Sequence, residues 1–332
     1  MNARLFVTRK VVFALVALMV LVGGILLSLS FYCYYAPRNY IEGERTIIIA
    51  PGTGAKAILN QLHREAVIPP PWLILLPMLA EYEPRSFKAG EYLVRSGLSP
   101  SGVLGMIARG EIVVHQVTIP EGFTLKQIRA LLMAEQLLTG DLPASIAEGT
   151  IFPETERFAR GESRAAVVKR LQQHMQEKLD AAWAERAPDL PLSTKEEALI
   201  LASIVERETG VKEERGRVAA VFINRLRAGM RLQSDPTVAY GLDLVQSNGK
   251  TRMLSTADLK KDHAWNTYTR DGLPPTPIAS PGLAAIEAVL NPPVTGEFYF
   301  VATGDGGHYF ARTLSEHNQN VARYRQQQKS NE

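Results

Sequence analysis

A carboxylate closes an apolar helix face in the stretch Ala202-Ser203-Ile204-Val205-Glu206-Arg207-Glu208-Thr209-Gly210-Val211-Lys212-Glu213. Ile200, Leu201, Ile204, Val205 and Glu208 recur at the spacing of one helix side. A carboxyl group among aliphatic neighbours has a raised pKa and keeps its proton near neutrality, the state a general acid requires. Glu206, two residues earlier, points to a different side of the same helix and is the alternative acid. Its plainer role is as partner to an arginine such as Arg207 or Arg225, or as a solvated charge.

The elements that must position these carboxylates follow from local signals. Ser193 and Thr194 with Glu196 and Glu197 form a capping box that starts the helix, and Gly210 stops it. Upstream, 164–187 reads as a long amphipathic helix burying Val167, Val168, Leu171, Met175 and Leu179, ended by Pro188 and Pro191. Downstream, 216–228 is a helix with Val218, Val221, Phe222 and Leu226 on one face. From Gly229 to Pro281 the chain has little periodicity and much Gly, Pro, Asn and Thr; an irregular stretch of that length inside a folded domain is usually functional. A helix over 283–290, a strand over 298–302 and a closing helix over 313–327 complete this part. Nearer the N-terminus, 45–50 reads as a strand, Pro51-Gly52-Thr53-Gly54 as a turn and 55–62 as a helix, and 117–132 repeats the pattern weakly. Between them lie a strand at 90–94 and a short helix from Ser99 to about Gly110, while 141–162 is turn-rich.

The chain has 332 residues, 46% hydrophobic and 21% charged, enough for two or three packed domains. A net charge of +3 is too small to argue for nucleic acid as a partner. The single cysteine, Cys33, excludes an intrachain disulfide framework and a multi-cysteine metal site. Residues 11–35 form an apolar run long enough to span a bilayer. Arg4, Arg9 and Lys10 precede it, and Arg38 is followed by Glu42 and Glu44. The positive-inside bias therefore predicts a cytoplasmic tail at 1–10, a retained anchor at 11–35 and the remainder outside. The run is long for a cleaved signal peptide, and no small-x-small cleavage site follows it. Phe31, Tyr32, Tyr34 and Tyr35 suggest an interfacial aromatic belt.

Six segments resemble one known family. They are Ala202 to Thr209; Val221-Phe222-Ile223-Asn224-Arg225-Leu226; Leu232-Gln233-Ser234-Asp235-Pro236-Thr237-Val238; Asn266-Thr267-Tyr268; Gly272-Leu273-Pro274-Pro275 with Pro277 to Gly282; and Tyr299-Phe300-Val301 with Gly307-His308-Tyr309-Phe310. Their order and content are similar to the endolytic murein transglycosylases, the YceG-like family. Phe152-Pro153-Glu154-Thr155-Glu156 departs from the family pattern, where Asp-Thr-Tyr is usual in place of Glu-Thr-Glu. The resemblance implies an α+β fold: an N-terminal transmembrane helix, a small LysM-like α/β module over 44–135 (its plainer reading is a spacer that holds the catalytic part away from the bilayer), and a mixed α+β catalytic domain over 141–332. It implies an inner-membrane protein whose catalytic domain is periplasmic and cuts MurNAc–GlcNAc bonds inside peptidoglycan glycan strands. The ends left would be 1,6-anhydro-MurNAc, with proximity to peptidoglycan synthases and no metal or organic cofactor. One acid suffices for this chemistry, because the sugar's own C6 hydroxyl takes the place of water, unlike the two-carboxylate glycosidases.

Under that resemblance Glu208 is the catalytic residue. It aligns with the Glu-Ser pair that ends the catalytic helix of soluble lytic transglycosylases, here Glu208-Thr209. Gln233 would meet the N-acetyl group or the oxocarbenium region, or shape its loop. Asp235 reads as a second carboxylate or as a turn and cap residue. Asn266, Thr267 and Tyr268 would line the sugar groove, Asn224 reads as a substrate ligand or as a buried hydrogen-bonding anchor on its helix, and His308 as a structural or substrate hydrogen-bonder. Arg225 reads as a buried anchor, His317 and Asn318 as packing for the last helix, and two scattered histidines do not make a zinc site. The rivals are a hydrolytic muramidase using Glu208 and Asp235, and a non-enzymatic glycan-binding anchor.

Overall fold

The computed structural model describes residues 2–37, 42–243, 253–304 and 306–331, with side chains between 9 and 328 of those ranges. Arg38 of the charge-bias reading and residues 244–252 of the irregular stretch lie outside them. The chain divides into two compact units, Met1–His115 and Gln116–Glu332. This division falls inside the predicted 44–135 module. The reason is packing: Ile119, Ile128 and Leu132 share a core with Val167, Val168 and Leu171, so the 117–132 segment belongs to the second unit.

The first unit begins with α1 (Asn2–Tyr35). Its Arg9–Tyr35 portion, 27 residues of mean hydropathy 2.8, is long and apolar enough to cross a membrane. Then follow β1 (Glu44–Ile49), α2 (Ala55–Arg64), α3 (Pro71–Glu81), a turn of 3-10 helix, β2 (Gly90–Arg95) and α4 (Pro100–Arg109). The two strands pair antiparallel, from Glu44 opposite Arg95 to Ile49 opposite Gly90. Ser99 caps α4 and Gly110 ends it in the left-handed conformation that favours glycine. No sequence signal singled out α3, because Pro-Trp-Leu-Ile-Leu-Leu-Pro-Met-Leu-Ala has no polar face to set a helical period. Pro77 lies inside it and has no N–H to give the Leu73 carbonyl. The Ser30 hydroxyl of α1 donates to that oxygen at 2.6 Å instead. Tyr34 is fully buried against this unit and donates to Glu81 at 2.7 Å, so the expected aromatic belt loses this member.

The second unit takes up the chain along β3 (Val114–Thr118), which pairs with β4 (Thr155–Ala159), and adds α5 (Leu125–Ala134) and α6 (Arg164–Ala184). Next come α7 (Lys195–Glu208), α8 (Arg215–Arg227), α9 (Asp235–Gly241), α10 (Thr256–Lys260) and α11 (Leu283–Leu290). The hairpin of β5 (Tyr299–Ala302) and β6 (His308–Ala311) and the final helix α12 (Leu314–Asn331) complete it. Thr194 caps α7 through the Glu197 N–H, and Glu197 reaches back one residue further than a capping box, to the Ser193 N–H at 2.5 Å. The sequence suggested one apolar face on α7; every residue from Ala198 to Val205 is buried. Helices α6, α8, α9 and α11 surround it, so α7 is a core helix rather than a surface one.

Ser203, fully buried in α7, donates to the Ile200 carbonyl at 2.7 Å and accepts the Ile278 N–H at 3.0 Å. This tie fixes the 277–282 loop against the helix. Ser203→Ala leaves the Ile278 N–H buried without a partner and is expected to cost about 1–3 kcal/mol. Urea unfolding measures it, and an unchanged midpoint would show the loop is held by other means.

Candidate active site

Glu208 is the last residue of α7, where the helix presents its unpaired carbonyls and the negative end of its dipole. Thr209 is extended and buried, and turns the chain away. The Ser234 hydroxyl donates to Glu208 Oε1 at 2.5 Å. Burial pushes the carboxyl up to about 7; the Ser234 bond opposes this, Asp235 adds to it, and Arg225 and Arg207 pull it down. Ser234 occupies Oε1, which leaves Oε2 as the oxygen open to a ligand.

Two cavities meet at this carboxylate. The larger, about 470 Å³, is floored by Glu208, Gln233, Asp235 and Tyr268. Residues 299–302 of β5 form one wall, with Arg225, His308 and, from α12, Leu314 and His317 around it. The smaller, about 300 Å³, shares Glu208 and Asp235 and continues along Pro236, Ala239 and Leu254.

Of the residues expected here, Gln233, Asp235, Tyr268 and His308 surround Glu208 in the larger cavity. Gln233 adopts φ +49°, a left-handed conformation unusual for a side-chain-bearing residue, held by its N–H donating to the Thr267 carbonyl at 3.1 Å. Tyr268 donates to Asp235 Oδ1 at 2.6 Å, and its hydroxyl pKa is raised, chiefly by burial. His308 sets Nδ1 against Glu214 at 2.7 Å, so in the neutral ring Nε2 remains as the acceptor.

Three expected groove residues are used elsewhere. Asn224 donates to the Thr295 and Glu297 carbonyls at 3.0 and 2.9 Å and does not line the cavity. Asn266, fully buried, donates to the Leu259 and Lys261 carbonyls and accepts the Tyr268 N–H. Thr267, also buried, accepts the Ser234 N–H at 2.9 Å and bonds Thr237 at 2.9 Å. Both shape the loops carrying Ser234 and Tyr268 instead of meeting a ligand. Arg225 and His317, read from the sequence as a buried anchor and as helix packing, also line the larger cavity. Arg225 donates to the Phe298 and Leu232 carbonyls and lies 5.4 Å over the Tyr299 ring, and burial lowers its pKa. His317 stacks on Tyr299 at 5.2 Å, and burial lowers its pKa and keeps it neutral. Their signal was present in the Tyr299-Phe300-Val301 segment, but nothing local says which side chains of a hairpin face a distant glutamate.

Glu206 faces the other way. Its Oε2 accepts the Gly282 N–H at 2.9 Å, and Arg215 reaches Oε1 at 3.3 Å, the two side chains only 5% and 8% exposed. The arginine bonded to Glu206 here is Arg215, and the Arg207 charge acts on the same carboxylate. Burial raises the pKa of Glu206; the Gly282 bond and Arg215 oppose it.

Among the described residues, Glu154, Glu156 and His174 bring metal-ligating atoms within 4.8 Å of one another. Their pairing is already internal: His174 bonds Glu154, and Arg170 donates to Glu156 at 2.5 Å. They lie in the segment that departs from the family pattern, away from the residues lining the Glu208 cavities.

The two glutamates separate by stability. A carboxyl raised from 4.5 to about 7 stabilises the fold in its protonated form: the contribution is complete below pH 4.5 and is lost as pH rises through 7. Glu208→Gln is therefore expected to leave stability unchanged at pH 4 and to raise it at pH 8, by at most about 3 kcal/mol. Glu206→Gln leaves Arg215 with only Glu121, at 4.0 Å, as a carboxylate partner and is expected to cost about 3 kcal/mol at both. Urea unfolding at the two pH values checks this; equal losses from both variants would contradict it.

A profile of the YceG-like family matches residues 47–323. An endolytic murein transglycosylase of Bacillus subtilis (strain 168) is 30% identical over 270 residues, covering 72% of this chain and 73% of the relative. An endolytic murein transglycosylase of Streptococcus pneumoniae serotype 2 (strain D39) is 27% identical over 324 residues, covering 84% of this chain but 58% of that longer relative. The crystal structure of a yceG-like protein, lmo1499, from Listeria monocytogenes superimposes with a TM-score of 0.52 at 26% identity, covering 83% of this chain and 98% of that one. With a match running through both compact units and every element around Glu208, the chain belongs to the YceG-like family.

Proposed function

We propose that this protein is a membrane-anchored lytic transglycosylase that cuts MurNAc–GlcNAc bonds within peptidoglycan glycan strands. The single observation that carries this is a carboxyl with its pKa near 7 placed where two cavities meet. A site that cuts inside a polymer needs room for sugar on both sides of the acid, and Glu208 and Asp235 border both cavities. The relatives named endolytic murein transglycosylase support the same substrate class.

In the first step Glu208 Oε2 gives its proton to the bridging oxygen, and the C1–O bond of MurNAc breaks with its electron pair going to the leaving sugar. The Glu208 carboxylate then takes the proton of the C6 hydroxyl, and O6 bonds to C1, closing the 1,6-anhydro ring. Atoms balance without water, and Glu208 ends protonated, ready for another cycle. Ser234 fixes the carboxyl's orientation. Asp235, oriented by Tyr268, lies beside the developing positive charge, and the polar groups of Gln233 and His308 are available to sugar hydroxyl and N-acetyl groups.

The anchor reading extends this. With α1 crossing the inner membrane and the short basic end in the cytoplasm, the catalytic unit is periplasmic and works on strands close to the bilayer where synthases release them. The β1-α2-α3-β2 order of the first unit, with its strands paired antiparallel, supports a LysM-like reading of that unit.

Digestion of purified glycan strands, with product ends read by mass, tests the reaction. Wild type is expected to give internal cuts ending in 1,6-anhydro-MurNAc, with kcat falling as pH rises past about 7. Glu208→Gln is expected to lose about 10³-fold in kcat. Reducing MurNAc ends would assign a muramidase with Asp235 as the second carboxylate. Strands left intact by wild type would assign a binding protein.

A further inference from the structure

Four large apolar side chains are exposed on α3: Trp72 at 73%, Leu75 at 41%, Leu76 at 63% and Leu79 at 50%. They recur at i, i+3, i+4 and i+7, which makes one continuous stripe along the helix. The opposite side is spent on the first unit's own core, with Ile74 at 0% and Met78 at 1% exposure. A lone exposed leucine is ordinary; a tryptophan and three leucines in one row mark a surface that something covers.

The attachment of α3 to α1 identifies the cover. Ser30 of α1 supplies the hydrogen bond that Pro77 denies the Leu73 carbonyl, at 2.6 Å. One turn further along α1, Tyr34 donates to Glu81 at 2.7 Å. Both clips lie in the last turn and a half of the Arg9–Tyr35 segment. A hydrocarbon core about 30 Å thick takes about 20 helical residues. Counted from the charged pair Arg9 and Lys10, that brings α1 out of the hydrocarbon near Leu29. The clips therefore hold α3 at the depth where α1 emerges.

We propose that α3 lies in the membrane–water interface, with Trp72, Leu75, Leu76 and Leu79 inserted at the boundary of headgroups and acyl chains. This gives the first unit a second membrane contact beside the anchor, and fixes how that unit faces the bilayer instead of leaving it to swing on one helix. Tryptophan at the edge of an apolar stripe suits that layer, where an amphipathic ring meets both lipid and water. The inference rests on α1 crossing the membrane.

The test uses the full chain in lipid nanodiscs, with Cys33→Ser and single cysteines placed at Met19, Leu76 or Lys56 to carry an environment-sensitive fluorophore. A mixture of lipids spin-labelled near the headgroup and near the end of the acyl chain serves as quencher, so that a probe at either depth is reached. The expected result is loss of emission at Met19 and Leu76, and full emission at Lys56 on α2. Quenching at Met19 with Leu76 behaving like Lys56 would overturn the interfacial role while leaving the anchor intact. No quenching at Met19 would overturn the anchor and this proposal together. The unaltered chain supplies an independent check: brominated lipids should quench part of its tryptophan emission, and Trp72→Phe should abolish that quenching. Quenching that survives Trp72→Phe unchanged would count against the proposal.

Discussion

Withdrawal of the Glu208 carboxyl from bulk water is the constraint on which the rest of the catalytic unit depends. Burial raises the pKa of the carboxyl, and the end of α7 and nearby Asp235 push the same way. An acid that never releases its proton could not act as base in a second step. The Ser234 hydroxyl and the charges of Arg225 and Arg207 restrain the shift, leaving the group near 7. One carboxyl can then serve in both directions at neutral pH.

That balance explains why the surroundings are so heavily hydrogen-bonded. Ser234 can bond Glu208 only if its own backbone is fixed, and Thr267 accepts its N–H while bonding Thr237. Asn266 in turn fixes the loop carrying Tyr268, and Tyr268 orients Asp235. Arg225 joins α8 to the strand wall through carbonyls of Phe298 and Leu232. Buried polar groups of this kind are costly when unpaired, so each bond also keeps the loops in one arrangement. Glu206 and Arg215 do comparable work on the far side of α7, securing Gly282 and the loop leading into α11.

Much of this was legible in the sequence, and the limits were physical. Period and caps identified α6, α7 and α8, and the aliphatic run before Glu208 pointed to a carboxyl with a raised pKa. Residue type did not say where a polar side chain ends up. Asn266 and Thr267 read as groove residues, yet their bonds go to the protein's own backbone and side chains, because a buried polar group satisfies the nearest partner before any ligand arrives; Asn224, offered both as a substrate ligand and as a buried anchor, bonds as the anchor. The cavity wall from β5 and α12 was not seen, since its residues stand about a hundred positions from Glu208 in sequence and only tertiary packing brings them together. Helix α3 escaped for the opposite reason: it is apolar on both faces, so no period betrayed it. The early strand-turn-helix repeat was visible, but its second copy joins the catalytic unit, an allegiance decided by a shared core with α6.

The account stands or falls on the ionisation of one side chain. Isotope-edited NMR of glutamate carboxyl carbons, with the Glu208 resonance identified by its absence in Glu208→Gln, reads it directly in the ligand-free protein. A titration midpoint near 7 is the predicted result. A midpoint near the ordinary 4.5 would mean a carboxylate already ionised at neutral pH, and would contradict the assignment of Glu208 as the acid.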